Sequence, residues 1–333
     1  MDTVGDLART LVLRSHQTRL NSTMDNLAVE IATGFVTDKA SHLGGDITQL
    51  LSIDRSLAQL ETYRVNTSEA TLLTNTMQTT LDEIQTRSEL LSQDLMKVEL
   101  TPTDEMMRTL STSAESALEQ MINGLNRSVG GRFLFSGTAT DTPPLAGSDA
   151  LMAELETVLA GETTADGVDA ALDTWFDTAG GGFDTFAYQG STTSLAPLRL
   201  SSTESAQVDI RADDDVFRET LKSVVKAALA SNETLGFSTD VKSELISSSA
   251  LELQSSQARV VELRAGLGAL EGRIEETVTR NSSERTSMMI ARSELVGTDE
   301  FEAATAYENT RSQLEAMYAI TSRSSRLSLV GYL

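Results

Sequence analysis

The sequence predicts a mainly α-helical protein: an elongated antiparallel helical bundle or coiled coil, formed by the N- and C-terminal regions, with a small α+β outer domain inserted. Two observations support this. Both ends are long blocks with apolar residues at helical spacing, whereas the middle has a different composition, with glycine and proline clusters. A helix with an apolar stripe must bury that stripe against another helix. Stripes at both ends therefore indicate that the chain doubles back on itself.

The two terminal stripes supply the residues expected to pack one subunit against the next. We expect one helix over residues 7–32, stopped by Thr33-Gly34, and a last helix that begins near Gly297-Thr298-Asp299. We also expect the ends, about 1–35 and 300–333, to have low order in the isolated protein. The predicted packing residues are Leu13, Leu20, Met24, Leu27, Ile31, Leu314, Met317, Leu327, Leu329 and Leu333.

The blocks next to the ends predict a helical bundle. Residues 47–100 keep a heptad phase from Ala70 to Val98, which is typical of a bundle face. A break at Thr101-Pro102 precedes a helix over 103–129, and helices return over 213–230 and 238–292. The last of these contains Gly266, Gly268 and Gly272, each costing about 1 kcal/mol relative to alanine, so tight packing is expected there.

The middle of the chain predicts mixed structure. A short strand over 132–137 ends in a turn, and short helices are expected over 148–160 and 165–177. Three pieces have the short alternating pattern of strands: Phe186-Ala187-Tyr188, Leu198-Arg199-Leu200 and Val208-Asp209-Ile210. The predicted domains are terminal paired helices (1–40 and 299–333), a helical bundle (41–140 and 213–298) and an acidic outer domain (141–212).

Composition excludes several classes of function. The net charge is −23, and residues 141–215 hold 15 Asp and Glu against two Arg. A nucleic-acid binder needs a basic surface, so this charge argues against one. The sequence has no run of about 18 apolar residues, so no membrane insertion is expected. Cysteine is absent, which excludes disulfides and cysteine-ligated metals. The start, Met1–Asp6, lacks a basic and apolar signal, so export would need a non-cleaved route.

No catalytic, cofactor-binding or metal site is predicted. His16 and His42 are the only histidines and lie far from the middle domain, so they are interpreted as structural. Asp213-Asp214-Asp215 lacks calcium-loop spacing and is interpreted as the acidic start of a helix. Gly266-x-Gly268 follows no strand, which excludes a phosphate loop. Trp175 is expected in the core of the outer domain.

Several segments resemble the bacterial flagellin superfamily, and its hook-filament junction proteins in particular. Gly131-Arg132-Phe133-Leu134-Phe135-Ser136-Gly137-Thr138, followed by Asp141-Thr142-Pro143-Pro144, resembles the segment that leaves the helical region in that family. Leu327–Leu333 is similar to the family's C-terminal tail, and Ala32-Thr33-Gly34 to the stop after its first helix. Leu267–Glu275 resembles its long C-terminal helix.

The resemblance implies a secreted structural protein of the extracellular flagellum and not an enzyme. Such proteins are exported unfolded through the flagellar type III apparatus with a chaperone on their C-terminal region. They then polymerise with themselves, a neighbouring hook-associated protein and flagellin. Three alternatives stay open at this point: flagellin itself, a flagellum-associated enzyme, and a cytosolic coiled-coil scaffold.

Overall fold

The computed structural model describes residues 4–97 and 103–326, and the part described is mainly helical, as predicted. Most of the described residues lie in a few long helices, and only short strands and one π-helical turn interrupt the pattern. The elements are α1 Val4–Thr33, α2 Lys39–His42, α3 Thr48–Leu95, α4 Asp104–Leu125, β1 Ser128–Val129, β2 Arg132–Phe133, α5 Ser148–Val158, α6 Ala165–Asp177, the π turn Phe183–Ala187, β3 Leu198–Arg199, β4 Ser205–Ala206, α7 Asp215–Leu229, α8 Thr239–Val296 and α9 Glu300–Arg326.

The chain divides into two compact units. The first comprises Met1–Thr62 with Asn281–Leu333, and the second comprises Tyr63–Arg280. Helices α3 and α8 contribute residues to both units. The predicted division into three domains, with boundaries at residues 40, 140, 212 and 298, was drawn from sequence pattern, and it stays a prediction.

The first unit contains the pair formed by α1 and α9. Helix α1 ends at Gly34, which has φ +72°, a backbone conformation that glycine adopts without strain. The Gly34 N–H donates to the carbonyl of Glu30 at 2.8 Å, which closes the last turn. Phe35 then forms an isolated antiparallel bridge with Gly297, just before α9.

The core of the second unit lies among α3, α4, α7 and α8. Helix α4 packs on α7, where Ser111 Oγ donates to the carbonyl of Ala227 at 2.9 Å. Helix α8 meets α3, where Ser92 Oγ donates to the carbonyl of Ala250 at 2.9 Å. The Met106 N–H donates to the side chain of Thr103, which caps α4. This confirms the predicted helix start after the break at Thr101-Pro102. Fully buried side chains include Met77, Leu81, Leu95, Met107, Leu118 and Met121.

The inserted region adds two hairpins and two short helices. β1 pairs with β2 and β3 with β4, both antiparallel, and α5 and α6 pack on α7. Trp175 is buried in an aromatic cluster, 4.7 Å from Phe176 and 6.3 Å from Phe183 between ring centroids, as predicted. One prediction for this region is wrong. Phe186–Tyr188 is not a strand: Phe186 and Ala187 belong to the π turn, whose Phe183 packs against Trp175, and Tyr188 forms an isolated bridge with Leu145.

Two further sequence predictions are wrong in detail. Val208–Ile210, predicted as a strand, pairs with no described strand, although its burial alternates as in one. The glycines of α8 are not tightly packed, because a Cβ added at Gly266, Gly268 or Gly272 would meet no described atom within 4 Å beyond the helix's own backbone. Gly266 and Gly272 lie on the exposed side of α8.

Candidate assembly surface

Helices α1 and α9 form an antiparallel pair of nearly equal length, with 30 and 27 residues. The chain leaving α1 and the chain entering α9 are hydrogen-bonded to each other. Val36 N–H donates to the Val296 carbonyl, and Thr298 N–H donates to the Gly34 carbonyl, both at 3.0 Å. Because the end of one helix meets the start of the other, the two run in opposite directions.

The predicted packing residues of α1 lie on the stripe of that helix that is least exposed. Leu13, Leu20, Met24 and Leu27 are half-buried, whereas Ile31 is 37% exposed. This stripe has the seven-residue repeat of a coiled-coil seam. A single chain therefore covers these side chains only in part.

The corresponding stripe of α9 is better covered. Ala303, Thr310 and Leu314 are buried and Met317 is half-buried, at the same spacing. The structure thus brings the described members of the two predicted sets onto one helix pair. Leu327, Leu329 and Leu333 lie outside the described residues.

The outer faces of the pair also carry large apolar side chains, which the sequence reasoning missed. Leu11 on α1 is 63% exposed and Phe301 on α9 is 83% exposed. Single exposed apolar residues are common on monomers, but several on two adjacent helices indicate a contact surface. The sequence could have revealed this surface, because these apolar residues lie outside the stripe that forms the seam. The full outer set is Leu11, Val12, Val29, Phe301, Tyr318 and Ile320.

The base of the pair is fixed by capping and ionic contacts. Asp299 caps α9, because its Oδ1 accepts from the N–H groups of Phe301 at 2.9 Å and Glu302 at 3.1 Å. Arg292 Nε lies 2.7 Å from Asp54 Oδ1, and its guanidinium lies 4.8 Å from the centroid of the Phe35 ring. These contacts hold the segment after α1 against α3 and α8.

The segment that resembles the family's exit motif joins the helical region to the insertion. Three backbone hydrogen bonds, each 2.9 Å long, hold this junction. The N–H groups of Ser191, Thr138 and Ala212 donate to the carbonyls of Ser136, Thr193 and Phe135, respectively. Tyr188 lies beside this junction, and burial raises the pKa of its phenol.

The polar residues considered from sequence have structural contacts. His16 Nδ1 lies 3.0 Å from Arg19 Nη2 on the exposed side of α1. Asp214 is the N-cap residue of α7 and Asp215 its first residue, as predicted. Among the described residues, no group of three or more His, Asp or Glu is placed to hold a metal. No helix in the part described is long and apolar enough to span a membrane.

Comparison with known proteins gives matches at both ends of the chain. The sequence model of the bacterial flagellin N-terminal helical region matches residues 4–140, and that of the C-terminal helical region matches residues 252–333. None of the curated proteins matches the chain.

Solved structures show the same fold at low sequence identity. One, assigned as a flagellar hook-associated protein from Vibrio parahaemolyticus, has a TM-score of 0.55 at 14% identity, over 74% of this chain and 95% of that one. Another, FlgL from Bacillus cereus, has a TM-score of 0.53 at 12% identity, over 73% of this chain and 100% of that one. The two family regions together cover more than half of the sequence and confirm the predicted resemblance, so the chain belongs to the bacterial flagellin family.

Proposed function

We propose that this protein is a structural subunit of the FlgL type, which joins hook and filament in the extracellular bacterial flagellum. The observation that carries the proposal is the α1–α9 pair, with its half-covered seam and its exposed outer apolar side chains. Such a pair is an incomplete helical bundle. Copies of the chain, stacked around an axis, would complete it.

Burial of apolar surface would drive this assembly. Fully burying a leucine or phenylalanine side chain contributes about 1.5–3 kcal/mol. Several such side chains per copy, contacting neighbours on more than one side, can exceed the entropy lost on association. The predicted partners are further copies of this chain, a neighbouring hook-associated protein and flagellin. The resemblance also implies an export chaperone on the C-terminal region.

The alternative within the family is flagellin, the bulk filament subunit. Both solved structures described above favour the junction role through their names alone, since at such low identity they establish only the fold. Copy number separates the two roles. A junction subunit should be present at a few copies per sheared filament, and a filament subunit at thousands.

Replacing apolar side chains on the outer face tests the assembly surface. We expect Phe301→Ser with Leu11→Ser to fold normally, because both side chains are exposed, yet to abolish swimming and retention of the protein on purified hooks. Leu251→Ser is the matched control, since Leu251 is 64% exposed but lies on α8 in the second unit. Normal motility and retention in the double variant would contradict the proposal.

A further inference from the structure

A groove of about 460 Å³ lies beside α8 in the second unit. Its floor is apolar and includes Leu263, Leu267 and Leu270 of α8. One wall is formed by the segment 207–210, and all four consecutive residues of that segment line the groove. This segment directly follows β4, which ends at Ala206, and it pairs with no described strand.

The exposure of residues 207–210 alternates along the chain, which is the pattern of an extended segment that prolongs β4 beyond its paired part. Leu200 N–H donates to the Glu204 carbonyl at 2.9 Å, so Glu204 and Ala206 use their backbone groups on the side of β3. In an antiparallel pair, the N–H and C=O of alternate residues point to opposite edges. The backbone groups of Gln207 and Asp209 therefore point to the other edge.

That edge has no partner within the described part of the chain. No backbone hydrogen bond joins residues 207–210 to any other described residue, although their burial alternates as in a strand. Unpaired N–H and C=O groups along an edge are a template for another strand. The occupant that satisfies them is an extended polypeptide, whose alternate side chains would enter the apolar floor.

The groove also gives close access to the backbone of α8. Gly266 lines it, and a Cβ there would meet no described atom within 4 Å beyond the helix's own backbone. A glycine inside a helix costs about 1 kcal/mol relative to alanine, and no contact within the second unit offsets that cost. An added strand lying against Gly266 would use the space that the missing side chain leaves.

Two charged side chains set the polarity of the occupant. Glu262 and Arg273 are exposed groove residues, and neither has an ion-pair partner among residues 4–97 and 103–326. Their positions on α8 are about 16 Å apart along the axis, at a rise of about 1.5 Å per residue. An extended peptide covers that distance in about five residues.

We propose that this groove binds an extended segment of a partner protein as an added strand next to 207–210. The segment carries apolar residues at alternate positions, a basic residue opposite Glu262 and, about six residues away on the same face, an acidic residue opposite Arg273. The inserted region of a second copy is a poor occupant. Residues 141–215 hold 15 acids against two arginines, so the inserted regions of two copies would repel each other. The inference does not depend on assembly through α1 and α9.

Two labelled heptapeptides serve as probes, Lys-Thr-Val-Thr-Val-Thr-Glu and its reversed order, with the full chain and fluorescence anisotropy as the readout. We expect one order to bind at least about tenfold more tightly than the other, a difference of about 1.4 kcal/mol. Exchanging the charges (Glu262→Arg with Arg273→Glu) should invert that preference. N-methylation of alternate amides in the better peptide should abolish binding, because it removes the edge hydrogen bonds.

A pair of glycine variants distinguishes binding in the groove from nonspecific binding elsewhere on the protein. Gly266→Leu should fill the groove and weaken binding at least about tenfold, while the helix gains stability because leucine is a better helix former. Gly272→Leu gives the same gain but does not line the groove, so it should bind as the parent does. The proposal is overturned if neither peptide binds at millimolar concentration, if the N-methylated peptide binds equally well, or if both glycine variants behave alike.

Discussion

At the scale of single residues, Gly137 shows how the family's exit motif is constrained. It has φ +60°, and a Cβ there would contact the carbonyl oxygens of Ser191 and Thr193, the latter at 2.5 Å. We expect Gly137→Ala to lower the free energy of unfolding by about 3 kcal/mol, from backbone strain and the displaced loop. Urea denaturation followed by Trp175 fluorescence measures this loss.

Gly130 provides the matched comparison for that measurement. It has the same φ of +60°, but a Cβ there would meet no atom within 4 Å. Gly130→Ala should therefore cost only the backbone strain, about 1 kcal/mol. Equal losses in the two variants would show that the contact with the 191–193 loop is not what constrains Gly137.

Asp184 gives the second unit a pH dependence of known sign. A hydrogen bond from the Gly180 N–H, at 2.8 Å, lowers the pKa of the Asp184 carboxyl despite burial, and Arg218 at 2.6 Å adds to the effect. A carboxyl with a lowered pKa in the folded state stabilises the fold above its ordinary pKa of about 3.9, and this contribution is lost as the pH falls through the lowered value.

Asp184→Asn tests that dependence. We expect the variant to be less stable than the parent by about 1 kcal/mol at pH 7, because a partly exposed charged hydrogen bond is lost. The two unfolding free energies should converge as the pH falls below about 4. Urea titrations from pH 7 to pH 2.5 give the comparison. A difference that stays constant over this range would refute the assignment.

At the scale of elements, a ladder of ion pairs joins α7 to α6 and to α8. Lys226 is 3% exposed and lies 2.8 Å from Asp169 and 2.5 Å from Glu252, both partly exposed. Lys222, one turn earlier, contacts Asp173 and Asp177. Removing the acids leaves a buried ammonium without a counter-charge, which costs stability. Removing the lysine leaves carboxylates that water can still solvate, which costs less.

The asymmetry of this ladder can be measured. Neutralising both carboxylates (Asp169→Asn with Glu252→Gln) should cost about 3 kcal/mol, because it leaves a buried unpaired charge. Lys226→Met should cost about 1 kcal/mol, because its aliphatic stem is replaced and the acids stay solvated. Chemical denaturation ranks the two variants. The reverse order would mean that the lysine pairs only weakly with these acids.

Elements with a clear helical repeat or a cap were predictable from the sequence. The helix over residues 165–177 has the predicted bounds, and in the structure Thr164 caps it and Asp166 lies in its first turn. The π turn at Phe183 was not predictable, since it results from packing against Trp175 and Phe176. Val208 and Ile210 had the pattern of a strand, but no local signal shows whether a strand has a partner.

At the scale of the whole molecule, the doubling back of the chain was predictable from the two terminal stripes. The boundary between the two compact units was not, because α3 and α8 continue through residues 62 and 281 with no glycine or proline there to mark it. The exposed outer residues of α1 and α9 were also missed. An apolar stripe marks the side of a helix that is buried, and these residues lie outside the stripe.

Removing residues 327–333 tests assembly against folding. Three of the predicted packing residues, Leu327, Leu329 and Leu333, are lost in this variant. We expect no incorporation into hooks, with Trp175 fluorescence and the urea midpoint of the second unit unchanged. Replacing only those three leucines by serine should reproduce the loss. Normal filament growth from the truncated chain would contradict the proposed role of these residues.

The hydrogen bonds between Val36 and Val296 and between Gly34 and Thr298 have a practical consequence for engineering. Cutting the polypeptide at this crossing would release α1 and α9 together and leave the excised remainder with its new termini already side by side. The helical pair could thus be exchanged between relatives as a single cassette. A short linker from residue 36 to residue 296 would close the rest into a ring.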